Sequence, residues 1–167
     1  MKRETITIQD KETTARVQTS QVQAVRVKNI IKKGVRVYQD GKIGISGAVG
    51  DAADGDLLQN AVENLSAGIA YPYPLSGHHM DHRSYNDHPM TSQELLEQAE
   101  HILAVLGQEY SDFSFSEGIS FQETRIEMKN SEGLDLQYHD AFFGLTLILK
   151  EKATANLLDG ALVCQTR

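Results

Sequence analysis

The chain has 167 residues, of which 40% are hydrophobic and 23% charged, enough to bury a core in one ordinary domain or two small lobes and too few for a large two-domain enzyme. No apolar run reaches the roughly 18 residues of a membrane-spanning helix, and the single cysteine, Cys164, excludes an internal disulfide framework and suits a reducing cytoplasm. The net charge of −7 is uneven: residues 1–36 balance to +6 and the remainder to −13. The basic residues of the first third fall within expected strands, without the dense patch of a nucleic-acid surface, so neither a nucleic-acid nor a membrane partner is expected.

The chain opens on Met1-Lys2-Arg3-Glu4-Thr5-Ile6, which alternates as a strand does and has no apolar signal core. Strands are expected at 4–8, 15–19, 22–28, 34–39 and 42–48 from alternation and from Val, Ile and Thr content. Asp40-Gly41 between two alternating runs is a strong hairpin signal. A two-residue loop there would set Val37 opposite Gly44 and split the apolar residues between two faces. A three-residue loop with a bulge at Gly41 sets Val37 opposite Ile43 and Val35 opposite Ile45, and is the expected form.

A helix follows, with Asp54 or Asp51 as N-cap, a stripe of Leu57, Leu58, Ala61, Val62 and Leu65, and Gly68 as the stop. Tyr71-Pro72-Tyr73-Pro74 and a His-rich stretch then make residues 69–89 a long connector. The second helix starts at Thr91, with Glu94 three residues on as a capping box and Met90 and Leu95 at the staple positions. Its buried stripe is Leu95, Ala99, Ile102, Leu103 and Leu106, and Gly107 ends it. Strands return at 112–117, 119–129, 133–139 and 142–151, with Asn130-Ser131-Glu132-Gly133 as a turn and Phe143, Leu145, Leu147 and Leu149 as the clearest alternation. A turn at Asp159-Gly160 precedes a last strand holding Cys164, expected as a buried small hydrophobe. Arg16-Val17-Gln18 before Ser20 faintly echoes Arg125-Ile126-Glu127 before Ser131.

This order predicts an α+β fold of antiparallel sheets with two main helices in two small lobes. The expected parts are a strand-rich lobe at 1–68 ending in a helix, a connector at 69–89, and a helix plus antiparallel strands at 90–167.

Candidate chemistry is sparse. His78, His79 and His82, with Asp87 and His88 nearby, form the one cluster that could hold a metal, since His residues four apart on a helix share a face. Gly77 and Pro89 flank the cluster and no Glu follows the first His, so an exposed loop with adventitious nickel or zinc binding is the expected reading. Cys164 is far in sequence from any His, Ser20 and Ser131 read as turn formers, and Ser46 sits in a strand before Gly47. No Gly-x-Ser-x-Gly elbow or phosphate-binding loop occurs. Gly44-Ile45-Ser46-Gly47 lacks dinucleotide spacing and reads as a strand closely approached by another backbone. Glu123 and Glu127 share a strand face without a cleft. No catalytic or cofactor-binding residue is assigned.

Two stretches carry a resemblance. Gly34-Val35-Arg36-Val37-Tyr38-Gln39-Asp40-Gly41-Lys42-Ile43-Gly44-Ile45-Ser46, with the helix after it, closely resembles the N-terminal domain of the TldD/PmbA family. Glu123-Thr124-Arg125-Ile126-Glu127-Met128-Lys129-Asn130-Ser131-Glu132-Gly133-Leu134 resembles that family's strand-turn-strand ending in Asn-Ser-x-Gly. The resemblance implies a cytoplasmic protein of the kind named as modulators of DNA gyrase, several of which are zinc metallopeptidases acting on unfolded peptides as homo- or heterodimers. It places the zinc in a C-terminal domain, on a His-Glu-x-x-x-His helix that this chain does not contain, so no metal ligand carries over. The expectation is the non-catalytic substrate-channel and assembly part of such a peptidase, as a fragment of a longer protein. A stand-alone binding module acting on a protein partner is the alternative.

Overall fold

The computed structural model describes residues 1–85, 88–156 and 158–167. Ten elements follow in chain order. Three strands come first: β1 (Lys2–Gln18), β2 (Gln21–Gln39) and β3 (Lys42–Val49). Helix α1 (Asp54–Glu63) runs into a 3-10 turn, and strand β4 (His79–Ser84) precedes helix α2 (Ser92–Glu109). Strands β5 (Phe113–Asn130), β6 (Leu134–Glu151) and β7 (Gly160–Thr166) complete the chain. The sheet order is β3-β2-β1-β5-β6-β4, with β7 also on β6. The α+β class is as expected. Antiparallel pairing is joined by one parallel pair, β4 on β6.

The strands are longer than their sequence suggests, and pairs of expected strands fuse into one. Residues 9–12 are polar and residues 29–33 combine Ile30 and Ile31 with Asn29, Lys32 and Lys33, and several of these polar side chains find partners on neighbouring strands. Asp10 accepts from Lys32 at 3.1 Å and from Thr124 at 3.2 Å, and the Gln9 amide donates to Asn29 at 3.1 Å. A polar residue with a cross-strand partner does not interrupt a ladder.

The chain forms two compact units. The first holds Met1–Asp10, Asn29–Ser84 and Thr124–Asp140, and the second Lys11–Lys28, Tyr85–Glu123 and Ala141–Arg167.

In the first unit α1 packs on β2 and β3, where Leu57 and Ala61 meet Val35 and Val37. Gly44 makes this possible: a Cβ there would lie 1.9 Å from the Ala61 carbonyl oxygen. The hairpin at Asp40-Gly41 therefore takes the two-residue form. Val37 pairs with Gly44 and Tyr38 with Ile43, and both turn residues have positive φ, 51° and 70°. The expected bulge fails because both hairpin faces are covered. Val35 and Val37 lie under α1, and Ile43 and Tyr38 are buried on the other face. The expected Asp cap of α1 is also replaced. Ala53 is the N-cap without a side-chain bond, and Lys33 donates to the Ala52 carbonyl and to the Asp54 carboxylate at 3.0 and 2.8 Å. Gly68, with φ 71°, closes the turn as expected.

In the second unit α2 covers the sheet with Leu95, Ala99 and Leu103, against Ala15, Val17, Phe115, Ile119 and Leu147. Burying Leu95 and Leu147 stabilises by roughly 1.5–3 kcal/mol each. The capping box forms as expected: Thr91 Oγ1 accepts from the Glu94 N–H, and the Glu94 carboxylate accepts from the Thr91 N–H. Met90 packs on the core beside Leu95. Gly107 does not end the helix. Its backbone is helical and nothing lies within 4 Å of a Cβ there, so it sits on the exposed side while α2 continues to Glu109. Cys164 is exposed rather than buried, because β7 presents most of its side chains to solvent.

Each unit holds a turn serine with the same reciprocal bonds. Ser131 donates its N–H to the Arg3 carbonyl, and its hydroxyl accepts from the Arg3 N–H at 3.0 Å. Ser20 makes the same pair of bonds to Phe115, at 2.7 and 3.0 Å. The faint echo read at these serines has this local basis.

Candidate functional site

The second resemblance motif is a backbone junction in the first unit. The Asn130 side-chain oxygen accepts from the N–H groups of Glu132 and Leu134, and its amide donates to the Ser76 carbonyl at 2.6 Å. His78 donates its N–H to the Glu132 carbonyl at 2.9 Å. Gly77 lies so close that a Cβ would sit 2.6 Å from that same carbonyl oxygen, and Gly133 has φ 84° beside His78. These contacts launch β4 along β6.

The His-rich stretch, expected as a loop, is thus largely a strand. β4 runs parallel to β6 with His79 opposite Leu134, His82 opposite Gln137 and Ser84 opposite His139. Strand geometry sends alternate side chains to opposite faces, so His79 and His82 diverge. His78 precedes the strand with φ 51°. Asp87 lies outside the described residues, and His88 lies beyond the end of β4. Among the described residues no three His, Cys, Asp or Glu side chains converge as a metal site would require.

β4 instead builds a polar cluster with β6. His82 Nε2 lies 3.2 Å from Asp135 Oδ1, Lys129 Nζ lies 3.7 Å from Asp135 Oδ2, and Ser84 Oγ lies 3.2 Å from His139 Nδ1. Burial opposes the Asp135 charge, yet the His82 and Gln137 hydrogen bonds and the Lys129 charge hold its carboxyl below the usual range. The Asp81 carboxyl is lowered chiefly by its hydrogen bond from Arg83. As the last strand in the sheet order, β4 has β6 on one side only among the described residues. Met80, 71% exposed, stands on it as an apolar contact.

A second concave surface lies at the hairpin tip. Tyr38, Tyr71 and Tyr73 line an open groove of about 490 Å³ with Pro72, Pro74 and Lys42. Their rings contact in sequence, with centroids 5.1 and 5.5 Å apart. Beneath it the buried Glu4 accepts from Arg36 at 3.1 Å and from the Tyr38 hydroxyl at 3.3 Å. Burial pushes the Tyr38 phenol up, and the Glu4 charge adds to this. Sequence reading missed this network, because Glu4 lies more than thirty residues before Arg36 and Tyr38 and only pairing unites them.

The remaining candidates are structural. Glu123 is buried and paired with Lys11 at 3.2 Å in the second unit, whereas Glu127 is exposed. Ser20 and Ser131 hold turns, and Ser46 pairs opposite Val35. No described helix is long and apolar enough to cross a membrane.

No protein-family profile and no curated protein matches the chain. Solved structures do. TldE from Thermococcus kodakarensis superposes with a TM-score of 0.69 at 11% identity, over 98% of this chain and 39% of that one. A protein from Thermotoga maritima, named as a modulator of DNA gyrase, gives 0.64 at 14% identity over 98% of this chain and 38% of its own. Another so named, from Bacteroides thetaiotaomicron, gives 0.62 at 8% identity over 99% and 39%. The chain has the fold of these TldD/PmbA-type proteins and spans about two fifths of their length.

Proposed function

We propose that this chain is the non-catalytic substrate-channel and assembly part of a TldD/PmbA-type zinc metallopeptidase that acts on unfolded peptides in the cytoplasm. The observation that carries the reading is the fold likeness across 98% of the chain to proteins more than twice as long. The zinc belongs to a part that the present residues do not supply, so every chemical step lies elsewhere. What these residues offer is binding. An extended peptide adds to the outer side of β4 through main-chain hydrogen bonds, which are indifferent to sequence. Met80 supplies apolar contact and the His82–Asp135 pair a polar one.

The test uses a fluorescently labelled, fully unfolded peptide titrated with the chain and followed by anisotropy. Saturable binding is expected, weakened by Met80→Pro, which breaks the main-chain ladder of β4, and little changed by Tyr73→Ala in the groove. No cleavage is expected with added zinc. Absence of binding refutes the reading, as does zinc-dependent cleavage by this chain that is lost on changing His78 and His82.

A further inference from the structure

The cations of the first third of the chain are not alike. Lys2, Lys11, Lys32, Lys33 and Arg36 each pair with a carboxylate, on Glu132, Glu123, Asp10, Asp54 and Glu4 respectively. The side chains of Arg16, Arg26 and Lys28 are exposed and have no hydrogen bond or ion pair among the described residues. All three lie in the β1–β2 hairpin of the second unit, where residues 13–28 contain no Asp or Glu. Ala15 and Val17 are buried in the core under α2, so Arg16 between them points to the opposite face. Val25 packs on the same core, so Arg26 and Lys28 share the face of Arg16. The hairpin also has an open edge. β3 pairs with β2 only over residues 32–39, and among the described residues no strand lies beyond 21–28.

We propose that the outer edge of β2 at 21–28 is a docking site for an acidic, extended segment of another protein. A strand added there lies about 4.8 Å from β2 and brings alternate side chains onto the face of Arg26 and Lys28. Those cations stand two residues apart, so carboxylates at alternate positions of the segment face both, with Cβ atoms about 4.5–5.5 Å away. Arg16, one strand further in, lies about 10 Å from the added strand and contributes an attraction that salt screens. Charge on an edge keeps uncharged and like-charged strands from pairing, and it favours a strand that brings carboxylates. A second copy of this chain is disfavoured on the same ground, since antiparallel pairing about Val27 would set Arg26 against Lys28. The free N–H and carbonyl groups of the edge are matched by another main chain, which favours a peptide over a nucleic-acid strand.

This inference does not rest on the peptide reading of β4, and its test separates the two edges. Two labelled peptides are titrated with the chain and followed by anisotropy, one alternating Glu with Val and the other Lys with Val. An edge indifferent to sequence binds both alike, and the net charge of −7 favours the lysine peptide. A preference for glutamate therefore reports local cations. The glutamate peptide is expected to bind at least ~5-fold tighter, and more weakly as salt rises. Arg26→Glu lowers that affinity at least ~5-fold. Arg3→Glu, the same change of charge at an exposed residue of the first unit, leaves it within about 2-fold. Combining Arg26→Glu with Lys28→Glu makes the lysine peptide the preferred one. Hydrogen exchange shows new protection within 21–28 when the glutamate peptide binds. Equal affinity for the two peptides overturns the proposal, as do protection confined to 79–84 and equal losses from Arg3→Glu and Arg26→Glu. A single-stranded oligonucleotide that displaces the glutamate peptide at equal concentration overturns it as well.

Discussion

Gly44→Ala tests the packing of the first unit and the hairpin register together. The added Cβ would stand 1.9 Å from the Ala61 carbonyl oxygen and 2.9 Å from the Leu65 nitrogen, both backbone atoms that no rotamer change can move. Helix α1 must lift, which thins the contact of Leu57 and Ala61 with Val35 and Val37. Overpacking of this kind costs about 1–3 kcal/mol, and here the clash is with backbone, which favours the upper half. Alanine in place of glycine in a strand returns roughly 0.5–1 kcal/mol through the unfolded chain. The net loss is about 2 kcal/mol, which at an m-value near 2 kcal/mol/M lowers the urea midpoint by about 1 M. Gly55→Ala is the control, since nothing lies within 4 Å of a Cβ at that helical position. There the expected change is a gain of up to about 1 kcal/mol. In the bulged register Gly44 would pair with Arg36 and turn away from α1, and alanine would be harmless. A Gly44→Ala midpoint equal to or above that of the unchanged chain would therefore refute both the register and the close approach.

Two further outcomes follow from the second unit. Thr91→Ala removes the acceptor for the Glu94 N–H and lowers stability by about 1 kcal/mol, read from the denaturation midpoint, with the loss confined to α2 in hydrogen exchange. Asp159 is held below the usual carboxyl range, first by the Asn156 hydrogen bond and then by the Glu151 N–H. Its folded value lies below its unfolded one, so its contribution is complete above the unfolded value, about 3.9, and is lost as pH falls through the folded value. Asp159→Asn should lower stability at neutral pH and flatten the acid limb of the midpoint-against-pH curve. An unchanged acid limb would remove Asp159 from that role.

Local signals read true in this sequence, and signals that depend on a partner did not. The capping box of α2 was legible because Thr91 and Glu94 satisfy each other within one turn. The Asn130 turn was legible for the same reason, with its side chain bonding residues two and four positions on. The hairpin register was not, since the reason for Gly44 is a helix that comes ten residues later. Nor was β4, because His79-Met80-Asp81-His82 has the composition of a loop and becomes a strand only when the Asn130 junction holds Ser76 and His78. Cys164 misled for a related reason. Apolar neighbours predict burial only where another element covers the strand, and none of the described residues buries Cys164.

The two motifs that carried the resemblance have a common physical character. One contains the glycine that admits α1 against β3, together with a turn whose two residues both take positive φ. The other joins the main chains of Arg3, Ser76 and His78 to a single turn, through its backbone and the side chains of Asn130 and Ser131. Each is demanded by close approach of main chains, and any substitution there collides or leaves polar groups unpaired, whatever the protein binds. Such positions speak for a fold. They say nothing about chemistry. Of the groups that could engage a ligand, the His82–Asp135 pair lies beside the second motif, whereas the tyrosine groove takes Tyr38 and Lys42 from the first. Substitutions on the surface of β4 therefore need not disturb Gly44 or Asn130. Peptide binding must be sought by perturbing Met80 and His82, where a loss of binding at unchanged stability separates recognition from architecture.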